Sequence, residues 1–253
     1  MTFAHKKHIT RRFGKSIESY KTQATVQREM CTLLVQILLQ ISAKPSQVLE
    51  IGCGTGFLTK EFLKTFCVQS YTANDITPAM TQEIEHIAQK TAQHIEFLAG
   101  DAENISFLRC FDTIISASTL QWFHNLPQFF KNIQHYLLPQ GILAFTTFGT
   151  ENFKEITTLT EQSLYYYSAE ELRELLAPDF HILHCETYCK TLYFSQAIEV
   201  LQHIRQTGVN TLSSELWTKS RLQQFCANYQ SMFSSEKGLS LTYNPICIIA
   251  QRT

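Results

Sequence analysis

The spacing of apolar residues changes several times along the first part of the chain. Between residues 22 and 41, apolar side chains recur every three or four positions, as on one face of a helix that ends before Lys44 and Pro45. Short apolar runs then alternate with helical stretches, which predicts a doubly wound, mostly parallel α/β sheet. The runs cover 48–51, 69–74, 95–99, 111–116 and 141–148, and the helical stretches cover 56–66, 77–91 and 126–137.

After residue 150 the pattern becomes less regular. Ser168, with Glu171 three positions later, predicts a capped helix start. Residues 181–194 alternate between apolar and polar and predict a sixth strand. Residues 239–250 predict a final strand that is broken by Pro245.

The segment between these two strands, residues 195–235, has helical character with an interruption at Gly208. Open α/β sheets bind ligands beyond the carboxyl ends of their strands. We expect the inserted segment to lie over that edge and to shape a substrate pocket. The predicted parts are an N-terminal helical lid (1–44), an α/β core (45–194), a helical cap (195–236) and a final core strand (237–253).

Composition narrows the classes of protein that remain. With 44% hydrophobic and 17% charged residues, the 253-residue chain fits a soluble globular protein. Its net charge of −1 gives no overall attraction for nucleic acid or an anionic membrane. No apolar run approaches the ~20 residues of a membrane span, and the start lacks a signal peptide's apolar core. The eight cysteines are scattered without a C-x-x-C pair, which predicts reduced thiols, a cytoplasmic location and no metal site.

The first apolar strand ends in a glycine-rich turn. Residues 48–56 read Val-Leu-Glu-Ile-Gly-Cys-Gly-Thr-Gly, so that Gly52, Gly54 and Gly56 let a ligand approach bare backbone. No Lys-Ser/Thr pair follows, which excludes a phosphate-binding P-loop. Glu50 is placed to orient the loop or to meet a cationic ligand. The turn resembles motif I of the class I methyltransferases that use S-adenosylmethionine (SAM).

Polar residues also follow the second and third strands. Asp75 can accept hydrogen bonds from both hydroxyls of a ribose, and it can equally cap the helix that begins near Thr77. Asp101 can bind an adenine amino group while Ala102 offers a backbone N–H, although Asp101 also suits a plain turn. A nicotinamide dinucleotide would use the glycines and Asp75 but would leave Asp101 and Ala102 unexplained. We therefore expect SAM, with Ser118 and Trp122 after the fourth strand as further walls.

Four segments resemble the malonyl-acyl carrier protein O-methyltransferases of biotin synthesis. The N-terminal pattern is carried by Phe13, Tyr20, Val26 and Gln27. The other matches are Leu-Gln-Trp at 120–122, the segment 145–156 and the segment 201–210. The resemblance implies a Rossmann-like class I methyltransferase fold: a mostly parallel seven-stranded sheet, an N-terminal helical lid and a helical insertion before the last strand.

The same resemblance implies the reaction. A methyl group would pass from SAM to the free carboxylate of malonyl-acyl carrier protein. The resulting ester masks a charge, so that fatty-acid enzymes can elongate the chain towards the pimeloyl group of biotin. Two alternatives stay open: a SAM-dependent enzyme acting on another small carboxylate or a quinone-like ring, and a protein that binds SAM without catalysis.

A malonyl carboxylate is ionised near neutral pH, so catalysis needs alignment and removal of water more than a base. Arg205 is the candidate to hold that carboxylate, since a guanidinium binds one in a bidentate manner; a solvated helix charge is the alternative. Tyr20 and Trp122 are candidates to close over the sulfonium, or they are core residues. Gln27 is expected to bond the methionine end of SAM.

An acyl carrier protein is acidic, so a basic docking face is expected. Residues 1–15 contain five cations and no acid, which makes them one candidate. A solvated terminus accounts for the same composition equally well. The cations are Lys6, Lys7, Arg11, Arg12 and Lys15.

Overall fold

The computed structural model describes residues 17–91, 93–160, 164–207 and 218–253. These residues form a seven-stranded sheet in the order β3-β2-β1-β4-β5-β10-β6 and a three-stranded sheet in the order β7-β9-β8. The strands are β1 Gln47–Ile51, β2 Ser70–Asp75, β3 Ile95–Ala99, β4 Phe111–Ala117, β5 Leu137–Phe148, β6 Phe180–Thr187, β7 Lys190–Phe194, β8 Ser234–Ser235, β9 Gly238–Tyr243 and β10 Pro245–Arg252.

Strands β1 to β5 pair in parallel, and β10 runs antiparallel between β5 and β6. Strand β1 lies inside the sheet, and its apolar residues Val48, Leu49 and Ile51 are fully buried because helices cover both faces. The predicted mostly parallel, seven-stranded α/β sheet is therefore confirmed.

Helices connect the strands at the expected places. They are α1 17–23, α2 Thr25–Gln40, α3 Phe57–Thr65, α4 Met80–Thr91, α5 Leu126–Ile133, α6 Lys154–Thr160, α7 Ala169–Leu176, α8 Ala197–Gln206 and α9 Lys219–Phe233. The predicted capping box is present, since the Ser168 hydroxyl accepts from Glu171 N at 3.1 Å and the Glu171 carboxylate accepts from Ser168 N at 2.7 Å. In the described ranges no helix has the length and apolar character that crossing a membrane requires.

Two predicted strands are each divided between the two sheets. The single strand predicted at 181–194 was wrong, whereas the break predicted at Pro245 in the second segment is confirmed. Residues 181–194 form β6 in the large sheet and β7 in the small one. Residues 239–250 likewise split between β9, which pairs with β7 and β8, and β10 in the large sheet. The apolar residues of each segment predict strands, but neither their spacing nor the uninterrupted apolar run at 246–250 reports which sheet a strand joins.

Asn244 lies where the chain passes from the small sheet to the large one. Its Nδ2 donates to Thr187 Oγ1 at 3.0 Å and to the Tyr188 carbonyl at 2.9 Å. Its own carbonyl accepts from Gly149 N at 2.7 Å, and its N–H donates to Asn152 Oδ1 at 3.2 Å. The backbone and side chain of this one residue thus join the ends of β5, β6 and β9.

The small sheet shares a second hydrophobic core with α6, α8, α9 and the start of α2. Its buried members include Val26, Phe153, Val200, Tyr229 and Leu241. The cap helices therefore pack on a small antiparallel sheet, of which β8 lies within residues 195–236 and β7 and β9 lie on either side of that range. The division of the chain at 1–44, 45–194, 195–236 and 237–253 stays a prediction.

Candidate active site

A cavity lies at the carboxyl ends of β1 to β5 and is closed from the other side by α1, α2 and the end of α8. Ten of the predicted site residues line it, which brings together side chains from six elements or loops. They are Tyr20, Gln27, Glu50, Gly52, Gly54, Asp75, Asp101, Ala102, Ser118 and Trp122. Gly56 and Arg205 are not part of the lining.

The glycine turn after β1 requires glycine for two separate reasons. Gly52, Gly54 and Gly56 all have positive φ, at 70°, 49° and 74°. A Cβ on Gly52 would lie 2.2 Å from Thr119 Oγ1, so the turn also packs too closely for a side chain. Gly56 caps α3 and packs against Ile87 of α4, which places it behind the cavity wall.

Asp75 ties the end of β2 to that turn. Its Oδ2 accepts from Gly54 N at 2.9 Å, and its Oδ1 accepts from Thr77 N at 2.7 Å. Asp75 therefore accepts from the backbone of the next turn, as the capping interpretation expects, and it also lines the cavity. Its role towards a ribose stays a prediction. Burial raises the pKa of Asp75. Each carboxylate oxygen keeps a lone pair with which it can accept from a ligand hydroxyl.

Glu50 is almost fully buried beneath the turn, with 1% of its surface exposed. Its Oε2 accepts from Thr59 Oγ1 at 2.5 Å and from the Tyr71 hydroxyl at 2.6 Å. Burial raises the pKa of Glu50 to about 7 against the opposing effect of these two hydrogen bonds. A cation in the cavity would favour the ionised form, so Glu50 fits a positively charged ligand.

Asp101 lies in the turn after β3. Its Oδ1 accepts from Glu103 N at 3.1 Å and its Oδ2 accepts from Asn104 Nδ2 at 2.8 Å. It is thus a turn aspartate that also lines the cavity beside Ala102. Together with Glu50 and Asp75, it gives the strand-end wall three carboxyl groups.

The loop after β4 holds an unusual backbone conformation. Ser118 has φ 52°, a left-handed value that non-glycine residues rarely adopt and that often marks functional sites. Its N–H donates to the Thr146 carbonyl at 2.9 Å, and its carbonyl accepts from Gln121 Nε2 at 2.7 Å. A 3-10 turn, Leu120–Trp122, follows and brings the Trp122 ring to the cavity.

Tyr20 stacks on Phe57, the first residue of α3, with ring centroids 5.9 Å apart and planes inclined by 22°. The Arg28 guanidinium lies 5.5 Å from the Phe57 centroid. Burial raises the pKa of Tyr20, so its hydroxyl stays neutral. Sequence analysis missed Phe57, although an aromatic residue directly after a glycine turn is a usable signal.

The lid and cap contribute no charge to the described lining. Gln27 is buried, and its Oε1 has no hydrogen-bond partner. Thr207 and Cys31 also line the cavity, and neither was predicted. Burial raises the pKa of the Cys31 thiol, which keeps it neutral.

Arg205 lies near the end of α8 with its side chain exposed. Neighbouring positions on that helix, His203 and Thr207, are buried instead. Among the residues that the structure describes, no lysine, arginine or histidine lines the cavity. The basic stretch at 1–15 and the match at Phe13 and Gly208–Asn210 lie outside the described residues.

The site fits a ligand with hydroxyl groups, N–H donors and positive charge. Three carboxyl groups line one side, and bare backbone forms the floor at Gly52 and Gly54. A nucleoside with a cationic amino-acid tail meets all of these requirements. No group of three or more potential metal ligands occurs within the described ranges.

Comparison with known proteins places the chain among methyltransferases. Residues 49–145 match a family described as a methyltransferase domain. The malonyl-[acyl-carrier protein] O-methyltransferase of Bacteroides helcogenes is 38% identical, covering 97% of this chain and 98% of the relative. The protein of the same name from Haemophilus influenzae is 35% identical, covering 99% of this chain and 96% of the relative.

Solved structures show the same fold at low identity. The YcgJ protein of Bacillus subtilis superposes with a TM-score of 0.61 at 15% identity, covering 87% of this chain and 97% of that chain. The N-methyltransferase NodS of Bradyrhizobium japonicum, solved with S-adenosyl-L-homocysteine, has a TM-score of 0.52 at 17% identity. The match covers 89% of this chain and 86% of that chain.

Proposed function

Since the chain belongs to the family of malonyl-[acyl-carrier protein] O-methyltransferases, we propose that it methylates the free carboxylate of a malonyl group carried by an acyl carrier protein. SAM is the proposed methyl donor. The product is the methyl ester from which the pimeloyl chain of biotin is built. The observation that carries the proposal is the cavity itself, which joins an acidic strand-end wall to an uncharged wall from the lid and cap.

Each wall has a separate task in this proposal. Asp75 accepts from the ribose hydroxyls, Asp101 and Ala102 meet the adenine edge, and Glu50 lowers the energy of positive charge in the cavity. SAM supplies, when bound, a methyl group on a sulfonium centre. Gln27 meets the amino-acid end of the donor.

The second substrate needs exclusion of water more than proton transfer. A carboxylate is ionised at neutral pH, so no proton has to leave it before it attacks a methyl group. The rings of Tyr20, Phe57, Trp122 and Phe148 surround the cavity and displace water from it. A desolvated carboxylate is a stronger nucleophile than a hydrated one, which is the principal contribution of this aromatic lining.

Arg205 is the proposed anchor for the malonyl carboxylate. Two observations support it: Arg205 belongs to the helix whose C-terminal cap, Thr207, enters the cavity, and the described lining itself holds no cation that could take this role. A guanidinium can bind one carboxylate in a bidentate manner and leave a lone pair for attack. The acidic carrier protein itself would dock on basic residues, for which 1–15 is the candidate segment.

Transfer of label from methyl-labelled SAM tests the proposal. The assay compares malonyl-acyl carrier protein with malonyl-coenzyme A and acetyl-acyl carrier protein. We expect base-labile label on the malonyl carrier and none on the acetyl carrier, which lacks a free carboxylate. Absence of transfer to any of the three, with SAM binding intact, would contradict the proposal and favour another small acid or a quinone-like ring.

A further inference from the structure

The first two described helices are separated by a single residue. Helix α1 covers residues 17–23 and α2 begins at Thr25, so that only Ala24 lies between them. Ala24 is fully buried, and its backbone angles, φ −78° and ψ 55°, lie outside the helical range. The chain therefore bends at Ala24 instead of continuing as one helix, and the bend sets the direction of α1.

Arg28 spans this bend from the α2 side. The last carbonyl groups of a helix have no partner within that helix. At the end of α1, Arg28 Nη1 donates to the Lys21 carbonyl at 3.1 Å, and Arg28 Nη2 donates to the Thr22 carbonyl at 3.4 Å. The Arg28 N–H donates to the Ala24 carbonyl at 3.1 Å. The side chain and backbone of one residue thus join the two helices, and the helix dipole favours a cation at the carbonyl end of α1.

The Arg28 guanidinium also contacts the ring on which Tyr20 stacks. Its Cζ lies 5.5 Å from the centroid of Phe57, and the centroids of Tyr20 and Phe57 are 5.9 Å apart. The position of Phe57 is fixed because it opens α3 directly after the glycine turn. Tyr20 and Phe57 line the cavity, whereas Arg28 does not. Arg28 is therefore placed to act on the site through these two rings and not by contact with a ligand.

A second attachment of α1 is of a different kind. Lys21 Nζ lies 2.7 Å from Glu83 Oε1 on α4, and both side chains are partly exposed. An ion pair between two flexible, partly exposed side chains contributes little to stability. It joins α1 to α4 through side chains alone, whereas Arg28 bonds the backbone of α1 itself.

We infer that Arg28 is a positioning residue which fixes the bend at Ala24 and so keeps the Tyr20 ring in the part of the cavity wall that meets the sulfonium of the methyl donor. The inference rests on the proposed function, because it takes the cavity to be the site of SAM. A guanidinium suits this task, since its planar fork of N–H groups can bond two carbonyls while it contacts an aromatic ring.

Ligand binding measured by calorimetry tests the inference without requiring turnover. The probes are SAM and S-adenosylhomocysteine, which lacks the methyl group and the positive charge of the sulfonium. An aromatic ring favours the charged probe, so we expect Arg28→Ala to lower the affinity for SAM about fivefold and the affinity for S-adenosylhomocysteine less than about twofold. The ratio of the two affinities reports the position of the Tyr20 ring, and a general loss of stability would not change it.

A double-mutant cycle shows whether Arg28 acts through Tyr20. Tyr20→Leu should lower the ratio by the same factor as Arg28→Ala. In the Tyr20→Leu background, Arg28→Ala should lower the ratio further by less than about 1.5-fold, because the effects of residues that act as one unit do not add. Arg28→Gln, which can bond only one carbonyl, should give a smaller loss of the ratio, and it replaces Arg28→Ala if that variant does not fold.

Two control variants separate positioning from general damage. Lys21→Met removes the ion pair with Glu83 but keeps the backbone carbonyl of residue 21, and it should leave the ratio as in the wild-type protein. Arg252→Ala removes a guanidinium that likewise donates to a backbone carbonyl, that of Leu137 at the start of β5, remote from the cavity. It should lower the free energy of unfolding and leave both affinities of the folded protein unchanged.

An equal loss of affinity for both probes in Arg28→Ala would overturn the inference, and so would a wild-type ratio in Arg28→Ala or in Tyr20→Leu. A full loss from Arg28→Ala in the Tyr20→Leu background, or an equal change of the ratio in Lys21→Met, would also overturn it. In each of these cases, binding of SAM to the wild-type protein leaves the proposed function standing. If the wild-type protein binds neither probe, the proposed function fails together with the inference.

Discussion

The wall of the cavity formed by the strand ends differs from the wall formed by the lid and cap in its charge. The strand ends present Glu50, Asp75 and Asp101, and the turn presents bare backbone. The described lid and cap lining presents Tyr20, Gln27 and other uncharged side chains instead. The carboxyl groups of the strand-end wall attract a cation. The uncharged wall from the lid and cap does not repel a carboxylate.

This difference explains how one cavity can serve two substrates of opposite charge. In the proposed reaction the donor is positively charged and the acceptor is negatively charged, so each has a wall suited to it. Methylation converts the charged carboxylate into a neutral ester. The uncharged wall therefore does not have to balance a negative charge in the product. Experiments that alter one wall should therefore change the affinity for one substrate and spare the other.

The largest expected effect is on the acidic wall. Asp75→Ala removes both the proposed acceptor for ribose hydroxyls and the bond that holds Gly54, so affinity for S-adenosylhomocysteine should fall roughly 100-fold, about 3 kcal/mol. Calorimetry measures this directly. Unchanged affinity would remove Asp75 from the donor site.

Asp112 offers a matched control because it lies near the start of β4, at the end of the strand that is remote from the cavity. Its carboxylate also accepts from backbone N–H groups, at 3.0 Å from Ser46 and 2.7 Å from Gln47. Asp112→Ala should lower the free energy of unfolding and leave the affinity for S-adenosylhomocysteine of the folded protein intact.

The next effect concerns the acceptor side. Arg205→Ala should raise the KM for malonyl-acyl carrier protein about tenfold or more, because a charge-assisted pair with the carboxylate is lost. Affinity for S-adenosylhomocysteine should not change. Lys219→Ala, another exposed cation of the cap, is the control and should behave as wild type. Wild-type kinetics in Arg205→Ala would leave Arg205 as a solvated surface charge.

The two walls differ again in how much the sequence reveals about them. Gly52, Asp75 and Asp101 each follow a strand directly, and parallel strands place their carboxyl ends at one edge, so the acidic wall was predicted from local signals. Tyr243 and His203 come within 2.8 Å of each other in the second core only because the chain leaves the large sheet after β6 and returns to it at Asn244. Pro245 signals a break, but it does not report that the strands on either side belong to different sheets.

A pH titration would sharpen the assignment of Glu50. Its pKa of about 7 in the folded protein lies above the ordinary carboxyl value of 4.5. Protonation of Glu50 therefore contributes to the free energy of unfolding, fully below pH 4.5, and this contribution is lost as the pH rises through about 7. Affinity for SAM should change in the opposite sense, rising by up to about tenfold per pH unit until the pH reaches about 7.

Glu50→Gln isolates this behaviour because Asp75 and the rest of the wall are retained. As the pH rises, the free energy of unfolding should fall less in the variant than in the wild-type protein. The affinity for SAM should likewise rise less. The affinity of SAM is measured by calorimetry between pH 5.5 and pH 8.5, a range of about 1.5 pH units on either side of the pKa. Identical pH dependences in the two proteins would contradict a direct interaction of Glu50 with the cationic donor.

The smallest effect concerns strain in the strand-end wall. Ser118→Gly should raise the free energy of unfolding by up to about 1 kcal/mol, since glycine adopts positive φ without the Cβ penalty. Ser116→Gly is the matched control: this residue lies in β4, and its hydroxyl donates to the Ile51 carbonyl at 2.9 Å, so the same change should destabilise. Thermal unfolding compares the two, and destabilisation by Ser118→Gly would show that the conformation carries no strain.

The most direct test of the account asks which atom receives the methyl group. Malonyl-acyl carrier protein whose free carboxylate carries heavy oxygen is incubated with the enzyme and SAM, and the product is then hydrolysed with mild base. The account predicts methanol that contains the heavy oxygen, since hydroxide cleaves the acyl–oxygen bond and the methyl group keeps the carboxylate oxygen. A methylated product that releases no methanol, or methanol without the heavy oxygen, would contradict methylation of the carboxylate.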